Sequence, residues 1–264
     1  MTCSSDHLSN MPKTAILFSF FLFLRITSPA QDLVSKKCGY KYNNYFDIGG
    51  AIGQQQGTGI LSWVHLHGIG HKKQRLKIGY GIRFTSYIGE NKWYTTAPAK
   101  YTSTRQDPLT IFSDNVNQNI DTIAIVTPQV NFINLSLHFE YNIWKNIDLG
   151  FNIDAAGFSW GSKQKVTVIS SSFDPNQTPV TYARPTAFNL LLTSDNDIGS
   201  LNSEFFLRYW TSPRFGIRVG YSFLFTEYKT DNKLSFNNGA IQNDRYRLKS
   251  SLFMLAFTFK PFNE

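Results

Sequence analysis

The chain has 264 residues, a formal charge of +8 and two cysteines, Cys3 and Cys38, which excludes a disulfide framework or a cysteine-rich metal centre. No run of lysine and arginine is dense enough to favour nucleic acid, so the basic balance is assigned to a solvated surface or to anionic lipid headgroups. The 23 phenylalanines and 13 tyrosines are heavy for a soluble domain and suit apolar faces turned to lipid between aromatic girdles.

Residues 1–30 read as a cleaved signal peptide. Lys13 precedes an apolar run over 14–24, and Ser28 and Ala30 supply the small residues of a cut after Ala30. The run is too short to span a bilayer as a helix. Met11 is an alternative start, because its short basic flank is the more usual leader. Residues 31–43 form a polar lead expected in the periplasm, and Cys38, preceded by Ser35, Lys36 and Lys37, lacks the small apolar neighbours of a lipidated cysteine.

From residue 44 the pattern has period two, the signature of β-strands. Strand one, 44–54, alternates Phe46, Ile48 and Ile52 with Asp47, Gly49 and Ala51. Strand two, 58–70, sets Ile60, Val64 and Leu66 against Trp63, His65 and His67, the weakest alternation of the set. Strand three, 75–90, opposes Ile78, Tyr80, Ile82 and Phe84 to Lys77 and Arg83. A polar loop is expected over 91–127. Strand four, 128–142, opposes Ile133, Leu135, Leu137 and Phe139 to Asn134, Ser136, His138 and Glu140; strand five, 147–160, opposes Ile147, Leu149, Phe151 and Ile153 to Asp148, Asn152 and Asp154. A second loop is expected over 161–198 and a third over 230–245. Between them 201–228 gives a hairpin whose greasy face carries Phe205, Leu207, Tyr209, Phe215, Ile217, Val219, Tyr221 and Phe223, and whose other face carries Glu204, Arg208 and Arg218. Strand eight, 246–260, ends on Phe253, Leu255, Phe257 and Phe259.

Two features choose between a soluble sandwich and a membrane barrel. One face is continuously apolar while the other holds charge, and connections alternate short and long along the chain. Short turns on one side of a membrane and long loops on the other are what a spanning barrel shows. The expected fold is therefore all-β, an eight-stranded antiparallel up-and-down transmembrane β-barrel over 44–264. Segments 109–113, 120–127 and 186–193 leave a ten-stranded barrel or a loop hairpin open. With the leader, this strand pattern and the terminal aromatic strand, the chain resembles small OmpA/OmpX-like bacterial outer-membrane barrels, particularly the Bacteroidetes "outer membrane beta-barrel" or porin-family type. The resemblance implies an outer-membrane location, contact with outer-membrane lipid and lipopolysaccharide, and insertion by the barrel-insertion machinery.

With the greasy face outward, the interior receives Asp47, Glu140, Asp148, Asp154 and Glu204 together with Lys77, Arg83, Arg208 and Arg218. A barrel of that size is filled by its own side chains, so these nine residues are expected to pair into a polar plug. His65 and His67, two apart on one strand face with His71 just beyond, could share a metal, but no carboxylate or cysteine completes a site, and membership of the polar network is preferred. His138 near Glu140 and Ser136 could pair as base, orienter and nucleophile, yet they fall near the short-turn end, the wrong depth for lipid A. Trp93, Tyr94, Trp144, Tyr209, Trp210, Tyr228 and Tyr246 are expected at the membrane interfaces, with a plug at the periplasmic end of the lumen as the alternative for Trp210. The function expected is structural or surface-interaction, without catalysis or cofactor, with an extracellular ligand or a secretion partner at the loops. An accessory role in transport or protein secretion and a lipid-modifying enzyme are the alternatives.

Overall fold

The computed structural model describes residues 42–70, 74–97, 99–102, 120–169, 180–192, 196–236 and 241–261. The expected signal peptide, most of the periplasmic lead, Cys38 and His71 lie outside the described residues. Among the described residues thirteen strands form one antiparallel sheet. They are β1 (Tyr42–Gly53), β2 (Gln56–Ile69), β3 (Leu76–Gly89), β4 (Lys92–Thr96), β5 (Thr122–Ile125), β6 (Gln129–Trp144), β7 (Ile147–Trp160), β8 (Gln164–Ile169), β9 (Val180–Pro185), β10 (Phe188–Leu190), β11 (Leu201–Trp210), β12 (Phe215–Phe236) and β13 (Ile241–Phe259). A single helical turn, Ala99–Thr102, follows β4.

The sheet closes on itself. Pairing runs β1–β2–β3–β6–β7–β11–β12–β13 and returns to β1, with Ile48 opposite Phe257 at the seam. Its exterior is apolar: Ile48, Leu137, Leu255 and Phe257 are 63%, 44%, 46% and 55% exposed. Its interior holds Asp148 and Arg208 at 0%. This is the inverse of a water-soluble protein, where charged residues are almost never fully buried unless paired. A closed sheet, which leaves no open edge, with a greasy outer band is the form that can stand in hydrocarbon.

The expectation of an eight-stranded up-and-down barrel is overturned by the thirteen-stranded sheet. The expected loops at 91–127 and 161–198 contribute β4, β5, β8, β9 and β10, and the expected loop at 230–245 is largely taken up by β12 and β13. β10 pairs with β7 of the barrel, while β4, β5, β8 and β9 join β12 and β13 in a second closed circuit beyond the greasy band. β4 pairs with β13 (Tyr246 opposite Thr96), β4 with β5, β5 with β8, β8 with β9, and β9 with β12 (Tyr228 opposite Pro185), while Tyr228 and Tyr246 face each other across the β12–β13 hairpin. The physical reason lies in Ile123, Ile125, Val166 and Val168. Alternation of two residues is enough to bury one face of a short strand, and these side chains are buried together with Tyr94, Tyr228 and Tyr246. Tyr94, Tyr228 and Tyr246, expected at a membrane interface, are core residues of this cap, whereas Tyr209 stands exposed on the outer face.

Strand two is also reversed in facing. Val64 and Leu66 point inward and pack on Tyr45, so Trp63, His65 and His67 stand on the outer face beside Tyr80.

Candidate functional site

The interior of the greasy band is lined by paired charges. Period-two strands place Asp47 on β1, Lys77 and Arg83 on β3, Glu140 on β6, Asp148 and Asp154 on β7, Glu204 and Arg208 on β11 and Arg218 on β12, with side chains inside the ring. Arg83 meets Asp154 at 2.5 Å and Glu204 at 3.2 Å. Glu204 is shared with Arg218 at 2.5 Å, and Arg218 also pairs with Asp47. Arg208 lies 3.8 Å from Asp47 and grips both oxygens of Glu140 at 2.7 and 2.6 Å. Seven of the nine charges thus form one chain of contacts. Lys77 and Asp148 pair separately at 3.2 Å, at the end of the barrel where the connections are short.

Neutral residues complete the assembly. Asn152 takes a hydrogen bond from Arg83 Nη1 at 2.6 Å and donates to Glu204 at 2.7 Å, and Asn134 donates to Asp154 at 2.8 Å. Thr258 donates to Asp47 at 2.5 Å, and Tyr45 donates to Glu140. The Arg208 guanidinium lies 4.3 Å from the Tyr45 ring centroid and that of Arg218 3.9 Å from Phe206. These partners share strand parity with the charges, a signal present in the sequence but not used there. A buried charge is tolerated when paired and hydrogen-bonded; each charge here is paired, and among the buried side-chain atoms of these nine residues only Arg208 Nη2 and Arg218 Nε lack a hydrogen bond. Gly150 makes room: it lies opposite Phe206 on the neighbouring strand, and a Cβ added there would lie 2.2 Å from that ring, so the glycine lets the ring lie flat against the inner wall.

Chemically, this arrangement fills space. Ser136 Oγ and His138 Nε2 are 2.9 Å apart, but Glu140 is held by Arg208 and Tyr45, and His138 Nδ1 has no hydrogen-bond partner. No carboxylate orients that imidazole, and both side chains are about 1% exposed. His65 Nδ1 lies 2.5 Å from Asn44 Oδ1, on the outer face and apart from the network. Among the described residues no cluster of three or more metal-ligating side chains occurs.

The cap encloses a different interior. Tyr94 and Tyr228 rings meet edge to face at 5.2 Å, Tyr94 OH is 3.1 Å from Thr226 Oγ1, and Tyr228 OH exchanges 3.0 Å hydrogen bonds with the Gln129 backbone. Burial pushes the Tyr228 phenol up to about 12 and holds Tyr94 and Tyr246 well above the ordinary range. Glu227 ties the cap to the barrel. It accepts from Arg245 at 2.8 Å, from Arg247 at 3.1 Å and from the Gly199 backbone at 3.2 Å. Gly199 has φ +76° and no room for a Cβ, which would lie 2.3 Å from the Phe188 carbonyl oxygen.

No protein-family model and no curated sequence matches the chain. Among solved structures it is similar to Neisserial surface protein A, with 9% identity over 84% of this chain and 97% of that one, at a TM-score of 0.35. It is similar to the Yersinia pestis outer membrane protein Ail, with 10% identity over 83% and 99%, at a TM-score of 0.34. A third match is the Ralstonia pickettii toluene transporter TbuX, with 9% identity over 84% and 78%, at 0.20. At these scores the likenesses carry no functional information. The narrower OmpA/OmpX-like or Bacteroidetes porin-family resemblance has no counterpart in a family model.

Proposed function

We propose that the chain is an integral outer-membrane β-barrel protein, plugged by its own ionic interior, that carries a folded cap on the cell surface as a structural or interaction platform. The inverted sheet carries this reading: an apolar band faces outward around buried, mutually paired charges. Connections are short at one end of the barrel, which we assign to the periplasm, and the cap occupies the other. Lipid and lipopolysaccharide surround the band, and the barrel-insertion machinery places it. The arginine–carboxylate chain in the lumen supports an anchor rather than a diffusion pore. The Ser136–His138 pair is sealed from lipid, which weighs against a lipid-modifying enzyme.

The test is twofold. Protein from an outer-membrane fraction should migrate faster on SDS gels unheated than boiled, and reconstituted in planar bilayers it should give no steady conductance. Lys165→Cys on the cap, in a Cys38→Ser background, should react with an impermeant maleimide on intact cells, and Lys145→Cys should react only after lysis. Recovery in a soluble fraction without a heat shift would overturn the membrane reading, and stable channels would overturn the plug.

A further inference from the structure

The short-turn end of the barrel has a mouth of its own. The β6–β7 turn, the β11–β12 turn and the residue after β13 surround a cavity of about 410 Å³. Backbone hydrogen bonds brace this rim, Trp210 N to Asn146 O at 2.8 Å and Lys260 N to Arg214 O at 2.8 Å. Lys77, Lys145 and Lys260 line the cavity, and among the described residues Asp148 is the one carboxylate in its wall. That carboxylate is already committed. Lys77 Nζ and Trp210 Nε1 reach Oδ2 at 3.2 and 2.7 Å, and Asn142 Nδ2 reaches Oδ1 at 2.8 Å. Lys260 Nζ stands 4.1 Å above the Trp210 ring. The wall therefore carries three cations against one carboxylate, with the Asn146 amide and the Thr211 hydroxyl alongside.

We propose that this mouth binds a phosphate group, free or carried by a lipid headgroup, between Lys77, Lys145 and Lys260. An ammonium is a compact point charge with three donors and suits a multiply charged tetrahedral anion. A single carboxylate would offset only one unit of the surplus. The volume falls within the usual ligand-cavity range of about 300–1,000 Å³, so it admits a phosphate with its esterified group. Burial pushes the Lys260 ammonium down to about 8; Lys77 and Arg208 push in the same direction, while Asp148 and Glu140 oppose them. A bound anion would restore the charged form. The inference rests on the membrane reading only in calling this end periplasmic.

The full chain in neutral, phosphate-free detergent is titrated calorimetrically with inorganic phosphate and with sulfate, whose charge does not change over the pH range used. Binding should be present near neutral pH, and sulfate affinity should fall several-fold above about pH 8 as Lys260 loses its proton. Lys145→Gln with Lys260→Gln should weaken sulfate about tenfold or more and flatten the pH dependence, while the heat shift on SDS gels stays intact. Should that double variant fail to fold, Lys145→Gln alone, on the exposed turn, is expected to weaken binding measurably. Binding of phosphatidylglycerol vesicles but not of inorganic phosphate, lost in the variant, would identify the lipid source. No binding of either probe, or equal binding by wild type and variant, would overturn the proposal. Loss of the heat shift in the wild type would instead count against the barrel.

Discussion

The barrel band and the cap solve opposite problems with one shared hairpin. Inside the band, Arg83, Arg208 and Arg218 lie among five carboxylates. Inside the cap, Ile123, Ile125, Val166, Val168 and four tyrosines lie together. The difference follows from what is outside. A band in lipid gains nothing by withdrawing apolar side chains from its surroundings, so its interior can be polar provided each group is satisfied. A cap in water is held mainly by burial and must have an apolar core. The two interiors meet at Phe206 and Met254, which belong to the apolar cluster and also touch Arg218, at 3.9 Å from the ring centroid and 3.9 Å from the sulfur.

The comparison breaks most severely at Arg218. Arg218→Leu leaves Asp47 and Glu204 without the partner they share, and stranding a buried charge costs about 3–5 kcal/mol. The expected outcome is a large fall in the denaturant midpoint of the heat-modifiable band. Adding Asp47→Asn and Glu204→Gln should recover much of it, because the uncompensated charges are then gone. A midpoint unchanged in Arg218→Leu would mean that the interior is wet enough to solvate the carboxylates.

Much of the band was legible because period two carries Asp47, Arg83, Glu140, Asp154, Glu204, Arg208 and Arg218 to one side of long strands. Strand two misled because Ile60, Val64 and Leu66 are apolar yet face inward, Val64 and Leu66 filling the space beside Tyr45. When a strand carries apolar residues on its inner face, its own pattern does not say which face is which. Its register does, here Val64 opposite Tyr45. The cap was only partly legible. Segments 120–127 and 186–193 leave further strands open, and β5 and β10 lie within them, but Val166 and Val168 are too few to announce a strand and their partners lie far along the chain. Tyr94 reaches Thr226 from 132 residues away, a closure that no local pattern reports. Tyr228 and Tyr246 read as girdle residues because an aromatic near a strand end suits an interface as well as a core.

A cut confined to the cap core should separate the two regions. Ile123→Ala removes a fully buried side chain, with a cost of about 2–4 kcal/mol, and that cost should fall on the cap alone. Limited proteolysis should then cleave within the cap strands while the heat-modifiable core and its denaturant midpoint remain as in the wild type. Equal loss in both would show that cap and band unfold as one unit, as the continuity through Phe206 permits.

The smallest expected effect is also the finest probe of how the cap sits on the barrel. Tyr228 OH accepts from Gln129 N and donates to Gln129 O, so Tyr228→Phe removes both bonds and leaves the start of β6 with unpaired backbone groups. The ring itself keeps its packing on Tyr94, so the loss should be about 1–3 kcal/mol. Amide exchange at Gln129 should quicken while exchange in the middle of β6 does not. With its phenol pushed up to about 12 by burial, Tyr228 stays protonated well past the pH at which an exposed tyrosine ionises, near 10. Protection at Gln129, corrected for the intrinsic rate, should therefore hold through pH 10 in the wild type. Its loss there would place Tyr228 in contact with water and open the cap at its junction with the band.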